Sequence, residues 1–315
     1  MSILNRRAIL KMTGALAGSS MISNSLAASY PTQPIIMFIP YGPGGTYDAY
    51  AREFSKLISN ELGVNVAPVN MPGGGGAEAI FELAQYPPTG DHISIINVPG
   101  ILLEKPRPGL DVEKLTWIAN LGRDYAALAV GANASVHNID DLKRLSAKRP
   151  IAFATAGRDS GYFASKVFCA SLDIKSRFIT GYQGSVSSAV AAARGDVDAV
   201  VYSYTTLQKL QSSGLVRIIF SFQHKAPVAG IEDAGTVNKP DLGKISEWRP
   251  IVGPPGLSDE MTSILSNSFM KAVKLPEAVA WAGKVGTTLY PLDGKQTRAM
   301  FEDQAALVKK WQDIL

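Results

Sequence analysis

Residues 35–48, IIMFIPYGPGGTYD, hold the pattern that decides the fold. A short β-branched run, Ile35 to Ile39, ends at Pro40 and passes through a glycine-rich turn. The following segment repeats apolar residues at helical spacing, at Tyr50, Phe54, Leu57, Ile58 and Leu62. The pattern therefore predicts a strand, a tight turn and a helix with one buried face.

The same order repeats outward from this stretch. Strands are predicted at 64–69, 93–96, 117–121, 126–130, 151–154, 176–179, 199–202, 216–222 and 248–252. Helices are predicted at 77–85, 139–147, 161–172, 186–194, 259–274, 276–285 and 294–314, and 221–247 is expected to be a long surface connection. Alternating strands and helices are typical of α/β domains whose mostly parallel sheets are flanked by helices. A length of 315 residues favours two such domains.

Four loops in this pattern are candidates for binding an anion, and we number them in chain order: 41–48, 73–76, 155–161 and 182–185. In open parallel sheets, ligands bind beyond the carboxyl ends of the strands, where helix N-termini present free backbone N–H groups. Any one of these loops alone could equally be a tight turn, but four together favour a carboxylate site, with Arg158 as the one fixed cation. The candidate binding residues are Tyr41, Gly44, Gly45, Thr46, Asp48, Gly75, Gly76, Ala77, Thr155, Ala156, Gly157, Arg158, Ser160, Tyr182, Gln183 and Tyr202.

The first 28 residues resemble an export signal. The net charge is +4, of which Arg6, Arg7 and Lys11 supply +3 in a segment without acids, so the remainder carries about +1. This near-neutral body argues against nucleic-acid binding. The paired arginines resemble a twin-arginine signal, with an ordinary secretory signal as the alternative, and cleavage is expected near residue 27 or 28. The sequence thus predicts a periplasmic protein.

Evidence for catalysis is weak. Gly74, Gly76 and Ala79 match the GxGxxA spacing of a dinucleotide-binding motif. However, Asn97 and Val98 occupy the positions where that motif has an acidic residue. The sequence has neither a phosphate-binding loop nor a nucleophile elbow, and its three histidines are widely separated. The single cysteine, Cys169, lies among apolar residues and is expected to be buried. We predict a non-enzymatic protein without cofactor or metal, and an exported α/β enzyme is the alternative.

Two motifs at a fixed distance identify a resemblance to a known family. The first is Pro43, Gly44, Gly45, Thr46 and Asp48, and the second is Asn70, Pro72, Gly73, Gly75 and Gly76. Together they resemble the substrate-binding proteins of tripartite tricarboxylate transporters, also called Bug receptors, over most of the chain. The resemblance implies a two-lobed periplasmic binding protein of type II, with lobe 1 at 29–128 and 249–315 and lobe 2 at 129–248. It also implies a monomer that carries a small carboxylate to membrane permease subunits.

The resemblance carries ligand-loop roles to Thr46, Gly75, Gly76, Thr155, Gly157 and Ser160. Three positions depart from the family pattern: Ala77 replaces a usual Asn, Asp159 stands within the usual S-x-G-x-G-S segment, and Gln183 replaces a usual Lys. Six aromatic residues are expected to crowd the cleft, namely Tyr41, Tyr47, Tyr162, Phe163, Tyr182 and Tyr202. They favour an aromatic carboxylate as an alternative to a di- or tricarboxylate.

Overall fold

The computed structural model describes residues 30–104 and 108–315. The predicted export segment lies outside these residues. The strands are β1 (Ile35–Ile39), β2 (Val66–Asn70), β3 (His92–Ile95), β4 (Thr116–Gly131), β5 (Ile151–Ala154), β6 (Ser176–Ile179), β7 (Ala199–Ser203), β8 (Val216–Ser221), β9 (Glu232–Asp233), β10 (Ser246–Gly253) and β11 (Leu289–Asp293). The helices are α1 (Thr46–Leu62), α2 (Ala77–Gln85), α3 (Ile139–Lys148), α4 (Ser160–Leu172), α5 (Ser185–Arg194), α6 (Tyr204–Ser212), α7 (Asp259–Ala272), α8 (Pro276–Val285) and α9 (Gly294–Lys310).

The structure differs from the predicted elements in four places. Two predicted strands, 117–121 and 126–130, are parts of the single 16-residue strand β4. Its central residues are polar, but their backbone continues the ladder, because Arg123 and Asp124 pair with Trp248 and Glu247 of β10. Helix α6 and strand β11 have no counterpart among the predicted elements, and β9 lies within the predicted connection.

One mixed sheet has the strand order β2-β1-β3-β10-β4-β7-β5-β6. Strands β1, β2 and β3 pair in parallel, whereas β10 runs antiparallel between β3 and β4. Residues 116–125 of β4 pair with β10, and residues 126–131 pair with β7 and β8. We call β1–β3, β10, β11 and the first part of β4 the first half, and β5–β9 with the rest of β4 the second half.

Each half has an apolar core, and Leu103 and Val308 also pack into the core of the second half. In the first half, Trp117 packs against Phe301 with ring centroids 4.5 Å apart. In the second half, Phe168 packs against Phe220 with ring centroids 5.0 Å apart, and Cys169 joins this core at 3% exposure. Cys169 is buried, which confirms the expectation, and this burial raises the pKa of its thiol to about 12. Among the described helices, none combines the length and the apolar character needed to cross a bilayer.

Candidate ligand-binding site

A small internal cavity lies where loops of the two halves meet. Its volume is about 20 Å³. That space holds about one water molecule, so a larger ligand requires the surrounding loops to move apart. The lining residues are Tyr41, Thr46, Tyr47, Asn97, Ser185, Tyr202, Ser203, Thr206 and Glu247.

Three hydroxyl groups join the two halves at this cavity. Thr46, the first residue of α1, places its Oγ1 2.7 Å from Ser203 Oγ and 2.5 Å from Thr206 Oγ1. Ser203 is the N-cap of α6, and its Oγ accepts a hydrogen bond from the backbone N–H of Thr206. We call Thr46, Ser203 and Thr206 the hydroxyl cluster. All three side chains are at least nine-tenths buried, so the cluster is a polar contact within the closed arrangement.

A wider surface cleft adjoins the cavity at two residues of the hydroxyl cluster. This cleft has a volume of about 480 Å³ and shares Thr46 and Thr206 with the cavity. Gly44 and Gly45 line the cleft and not the cavity, opposite residues of α6 and α8 that include Trp281. The two spaces are therefore neighbours that meet at Thr46 and Thr206.

Two helix N-termini at the site are open to an anion. Helix α1 follows Gly45 and helix α5 follows Gly184, and neither N-cap residue supplies a capping side chain. The first residues of these helices, Thr46 and Ser185, both line the cavity. Uncapped N–H groups and the helix dipole favour negative charge at such positions.

Asp48 shapes the first loop and does not line the cavity. Its carboxylate accepts hydrogen bonds from the backbone N–H of Gly44 at 3.0 Å, from Asn70 Nδ2 at 3.0 Å and from Arg52 Nε at 2.9 Å. Burial acts to raise the pKa of Asp48, but the hydrogen bonds from Arg52, Gly44 and Asn70 outweigh it and lower that pKa. Asp48 therefore holds the loop that carries Thr46.

The second and third loops meet backbone to backbone across the two halves. A Cβ added to Gly157 would lie 2.5 Å from the backbone N of Gly75, far inside contact distance. Gly75 has a φ of 72° and its carbonyl accepts a hydrogen bond from Tyr41 Oη at 2.9 Å. Gly76 is also buried, and an added Cβ there would meet Pro40 at 3.0 Å. Glycine at positions 75 and 157 therefore permits the close approach of the halves, whereas Gly76 makes room for Pro40 within the first half.

Two other predicted residues, Ala156 and Ser160, form hydrogen bonds with residues that line the cavity. The backbone N–H of Ala156 donates to Tyr202 Oη at 3.1 Å, and Ser160 Oγ accepts from Asn97 Nδ2 at 2.9 Å. Thr155 is buried at the end of β5, and its Oγ1 has no hydrogen-bond partner among the described residues.

Four further predicted residues lie away from the cavity. Arg158 donates from Nε to the carbonyl of Leu103 at 3.1 Å and lines a separate surface cleft. Tyr182 packs against an apolar cluster of the second half. Gln183 uses its carbonyl to accept from the backbone N–H of Gly42 at 2.7 Å, and Ala77 begins α2 as a buried residue.

The aromatic crowding predicted for the cleft is present in part. Tyr41, Tyr47 and Tyr202 line the cavity, and Tyr41 packs against Tyr47 with ring centroids 5.2 Å apart. Burial raises the pKa of all three phenols well above the usual value, so they remain hydrogen-bond donors. Phe163 is fully buried in the second core, and the partly buried Tyr162 packs against the same core, so neither lines the cavity.

A buried charged cluster beside the cavity is absent from the sequence predictions. Arg249 is fully buried, and its Nη2 lies 3.8 Å from Asp124 Oδ2 and 3.8 Å from Glu247 Oε2. Burial raises the pKa of Glu247 to about 7 even though Arg249 lowers it, and burial raises the pKa of Asp159 to about 6. The site therefore contains more carboxyl groups than its one guanidinium can balance.

No combination of His, Cys, Asp and Glu in residues 30–104 and 108–315 forms a group suited to a metal ion.

A two-halved α/β fold with loops from both halves around one polar cavity defines the class of solute-binding receptors. The sequence model of the family described as tripartite tricarboxylate transporter family receptor matches residues 50–315 of this chain. The chain therefore belongs to that family, which is one of periplasmic solute receptors and not of enzymes.

Known relatives agree with this assignment. The chain is 22% identical over 323 residues to the protein BugT of Bordetella pertussis, covering 99% of this chain and 98% of that protein. The fold is similar to that of the periplasmic binding protein BugD, with a TM-score of 0.81 at 19% identity, over 89% of this chain and 98% of that one. It is also similar to Rpa4515 of R. palustris, solved with adipate, with a TM-score of 0.82 at 19% identity, over 91% and 97% of the two chains.

Proposed function

We propose that this receptor captures a small carboxylate between its two halves and delivers it to membrane permease subunits of a tripartite tricarboxylate transporter. The observation that carries the proposal is the hydroxyl cluster, where Thr46 at an uncapped helix N-terminus meets Ser203 and Thr206 of the other half. A carboxylate placed between these groups would accept hydrogen bonds from both halves, and charge-assisted hydrogen bonds are the strong ones. The solved complex of Rpa4515 with adipate supports this ligand class.

The proposal includes how the chain is organised and where it acts. Residues 29–128 and 249–315 form one lobe, residues 129–248 form the other, and the ligand closes them around itself. Sharing of β4 between the halves supports a hinge in that strand. The protein acts as a monomer in the periplasm after removal of residues 1–27 or 1–28, and it binds no nucleic acid. A di- or tricarboxylate and an aromatic carboxylate both remain within the proposed class.

A thermal-shift screen of the protein from Ala28 onward tests the proposal. Aliphatic and aromatic mono-, di- and tricarboxylates are added singly, and a ligand at about 100 times its dissociation constant adds about 2.7 kcal/mol of stability. We expect one carboxylate class to raise the melting temperature and Thr46→Val to remove most of that shift. Thr262→Val in α7, outside the residues that line the cavity, is the matched control. If no compound in the panel raises the melting temperature, the proposal is contradicted.

A further inference from the structure

A second cleft lies beside the middle of β4, apart from the ligand cavity. Its volume is about 420 Å³, which falls in the range of about 300–1,000 Å³ that is usual for small-molecule sites. We call it the β4 cleft. It shares no lining residue with the cavity. The proposed function therefore leaves the β4 cleft without a role.

Both halves contribute walls to the β4 cleft. Arg123 and Tyr290 come from β4 and β11 of the first half, whereas Tyr204 begins α6, which joins β7 to β8 in the second half. A hydrogen bond of 3.2 Å from Thr205 Oγ1 to the carbonyl of Gly286 connects the two halves at this place. A molecule that fills the cleft therefore contacts both halves.

The register of β4 with β10 places Arg123 and the cavity on opposite faces of the sheet. Arg123 pairs with Trp248, and Asp124 pairs with Glu247. Neighbouring residues of a strand point to opposite faces, so Arg123 lies on the face away from Glu247, which lines the cavity. A ligand held by Arg123 is therefore separate from a ligand in the cavity.

Arg123 is held in place and still has free hydrogen-bond donors. Its guanidinium carbon lies 4.8 Å from the ring centroid of Tyr125 and 5.0 Å from that of Trp248, and its Nε donates to Ser246 Oγ at 3.1 Å. In the described part of the chain, its two Nη atoms have neither a hydrogen-bond partner nor a paired acid. Stacking on aromatic rings orients a guanidinium, and its fork of N–H groups matches a carboxylate or a phosphate.

Tyrosine rings form much of the wall near this guanidinium. Tyr125, Tyr204 and Tyr290 all line the β4 cleft. Tyr290 is 42% exposed, and its ring meets that of Trp248 edge to face with centroids 5.3 Å apart. Aromatic walls favour an aromatic ligand, because rings in stacked or edge-to-face contact gain more than their buried area alone provides.

One acid also lines the β4 cleft, but it already has partners. Asp124 Oδ2 accepts a hydrogen bond from the backbone N–H of Thr205 at 3.2 Å and lies 3.8 Å from Arg249 Nη2. Arg123 is the other charged residue among those that line the cleft. The charge that is open to a ligand is therefore the positive charge of Arg123.

We propose that the β4 cleft is a second ligand site, which binds a small aromatic anion. The carboxylate or phosphate group of this anion pairs with the Nη atoms of Arg123, and its ring packs against the tyrosines of the wall. The inference goes beyond the proposed function and does not depend on it, because the two sites share no residue.

Four compounds test the inference in calorimetric titrations of the protein. They are benzoate, phenyl phosphate, benzamide and cyclohexanecarboxylate. We expect benzamide, which has the ring without the charge, to bind about tenfold or more weakly than benzoate. Cyclohexanecarboxylate, which has the charge without the aromatic ring, should bind about threefold or more weakly than benzoate. The order of benzoate and phenyl phosphate distinguishes a carboxylate ligand from a phosphate ligand.

Variants identify the groups that hold the anion. Arg123→Gln removes the charge and the fork, so we expect it to weaken benzoate about tenfold or more without changing the affinity for benzamide. Tyr290→Leu should also weaken benzoate, and it provides a second test if Arg123→Gln folds poorly, because Tyr290 is half-exposed. Arg194→Gln, at an exposed arginine in the last turn of α5, is the matched control and should bind as the wild type does.

Thr46→Val separates the β4 cleft from the cavity. It changes the cavity wall and should leave binding in the β4 cleft unchanged. If the wild type binds two benzoate molecules per chain, Arg123→Gln should remove one and Thr46→Val the other.

The outcomes distinguish this inference from the proposed function. Full affinity for benzoate in both Arg123→Gln and Tyr290→Leu, or a loss in Thr46→Val alone, would overturn the second site and leave the proposed function standing. If neither aromatic anion binds, the second site is likewise overturned, whereas the thermal-shift screen with aliphatic carboxylates still decides the proposed function.

Discussion

Replacing Glu247 with Gln should make the stability of the protein less dependent on pH. Burial raises the pKa of Glu247 in the folded protein from 4.5 to about 7. Between these two values the folded state holds a proton that the unfolded chain has released, so the free energy of unfolding falls as pH rises. The stability is regained as pH falls toward the unfolded value. Gln has no proton to release, so the variant lacks this contribution.

The structure gives the size of the effect. The difference between about 7 and 4.5, at about 1.4 kcal/mol per pH unit, corresponds to about 3 kcal/mol of unfolding free energy. Asp159, whose pKa rises from 3.8 to about 6, contributes in the same direction in both proteins. Groups with lowered pKa values, such as Asp48, act in the opposite direction but titrate below this range. Urea unfolding followed by tryptophan fluorescence, at steps from about pH 5 to about pH 8, measures the slope.

Comparison of three proteins decides the result. The wild type should lose stability with rising pH more steeply than Glu247→Gln, by up to about 3 kcal/mol across the range. Glu260→Gln changes an exposed acid and should follow the wild-type slope. Parallel curves for the wild type and Glu247→Gln would refute the claim that a buried, poorly compensated carboxyl group lines the cavity.

Three further predictions concern other parts of the structure. Gly157→Ala should weaken ligand binding about five- to 150-fold, because overpacking at the contact with Gly75 costs about 1–3 kcal/mol. The control in the same calorimetric titration is Gly243→Ala, where the new Cβ lies 3.7 Å from its nearest neighbour. Equal affinities of the two variants for the ligand would contradict this account. Arg249→Met should lower the unfolding free energy by about 3 kcal/mol or more in urea, because it leaves buried carboxylates unpaired; a loss below about 1 kcal/mol would argue against the pairing. Cys169 should react with a thiol reagent only after unfolding, since its thiol is buried with a pKa of about 12; rapid labelling of the native protein would show that this core opens.

Much of the fold could be predicted from local patterns. The strand, turn and helix at residues 35–62 agree with β1 and α1, because apolar spacing and the glycine-rich turn are local signals. Helix α6 was missed since polar residues fill most of it and Leu207 and Leu210 are its only long aliphatic residues. Strand β4 was divided in two because Arg123 and Asp124 interrupt its apolar pattern, although their pairing with β10 keeps the strand continuous.

The candidate site could be predicted only where loops carry the signal. Tyr41 and Thr46 line the cavity, as the position of their loop after β1 suggests. Glu247 was missed because nothing in its local sequence shows that β10 passes beside the cavity; only the tertiary arrangement does so. Arg158 illustrates the converse, since its loop was predicted well but its side chain binds the carbonyl of Leu103 instead.

Calorimetric titration of the protein from Ala28 onward, with the carboxylate that gives the largest thermal shift, tests the central claim most directly. The account predicts one binding site per chain, a negative heat-capacity change from burial of the ligand, and loss of most of the affinity in Thr46→Val. Unchanged affinity in Thr46→Val, or no measurable binding of any carboxylate, would contradict the claim that this family member captures a carboxylate between its two halves.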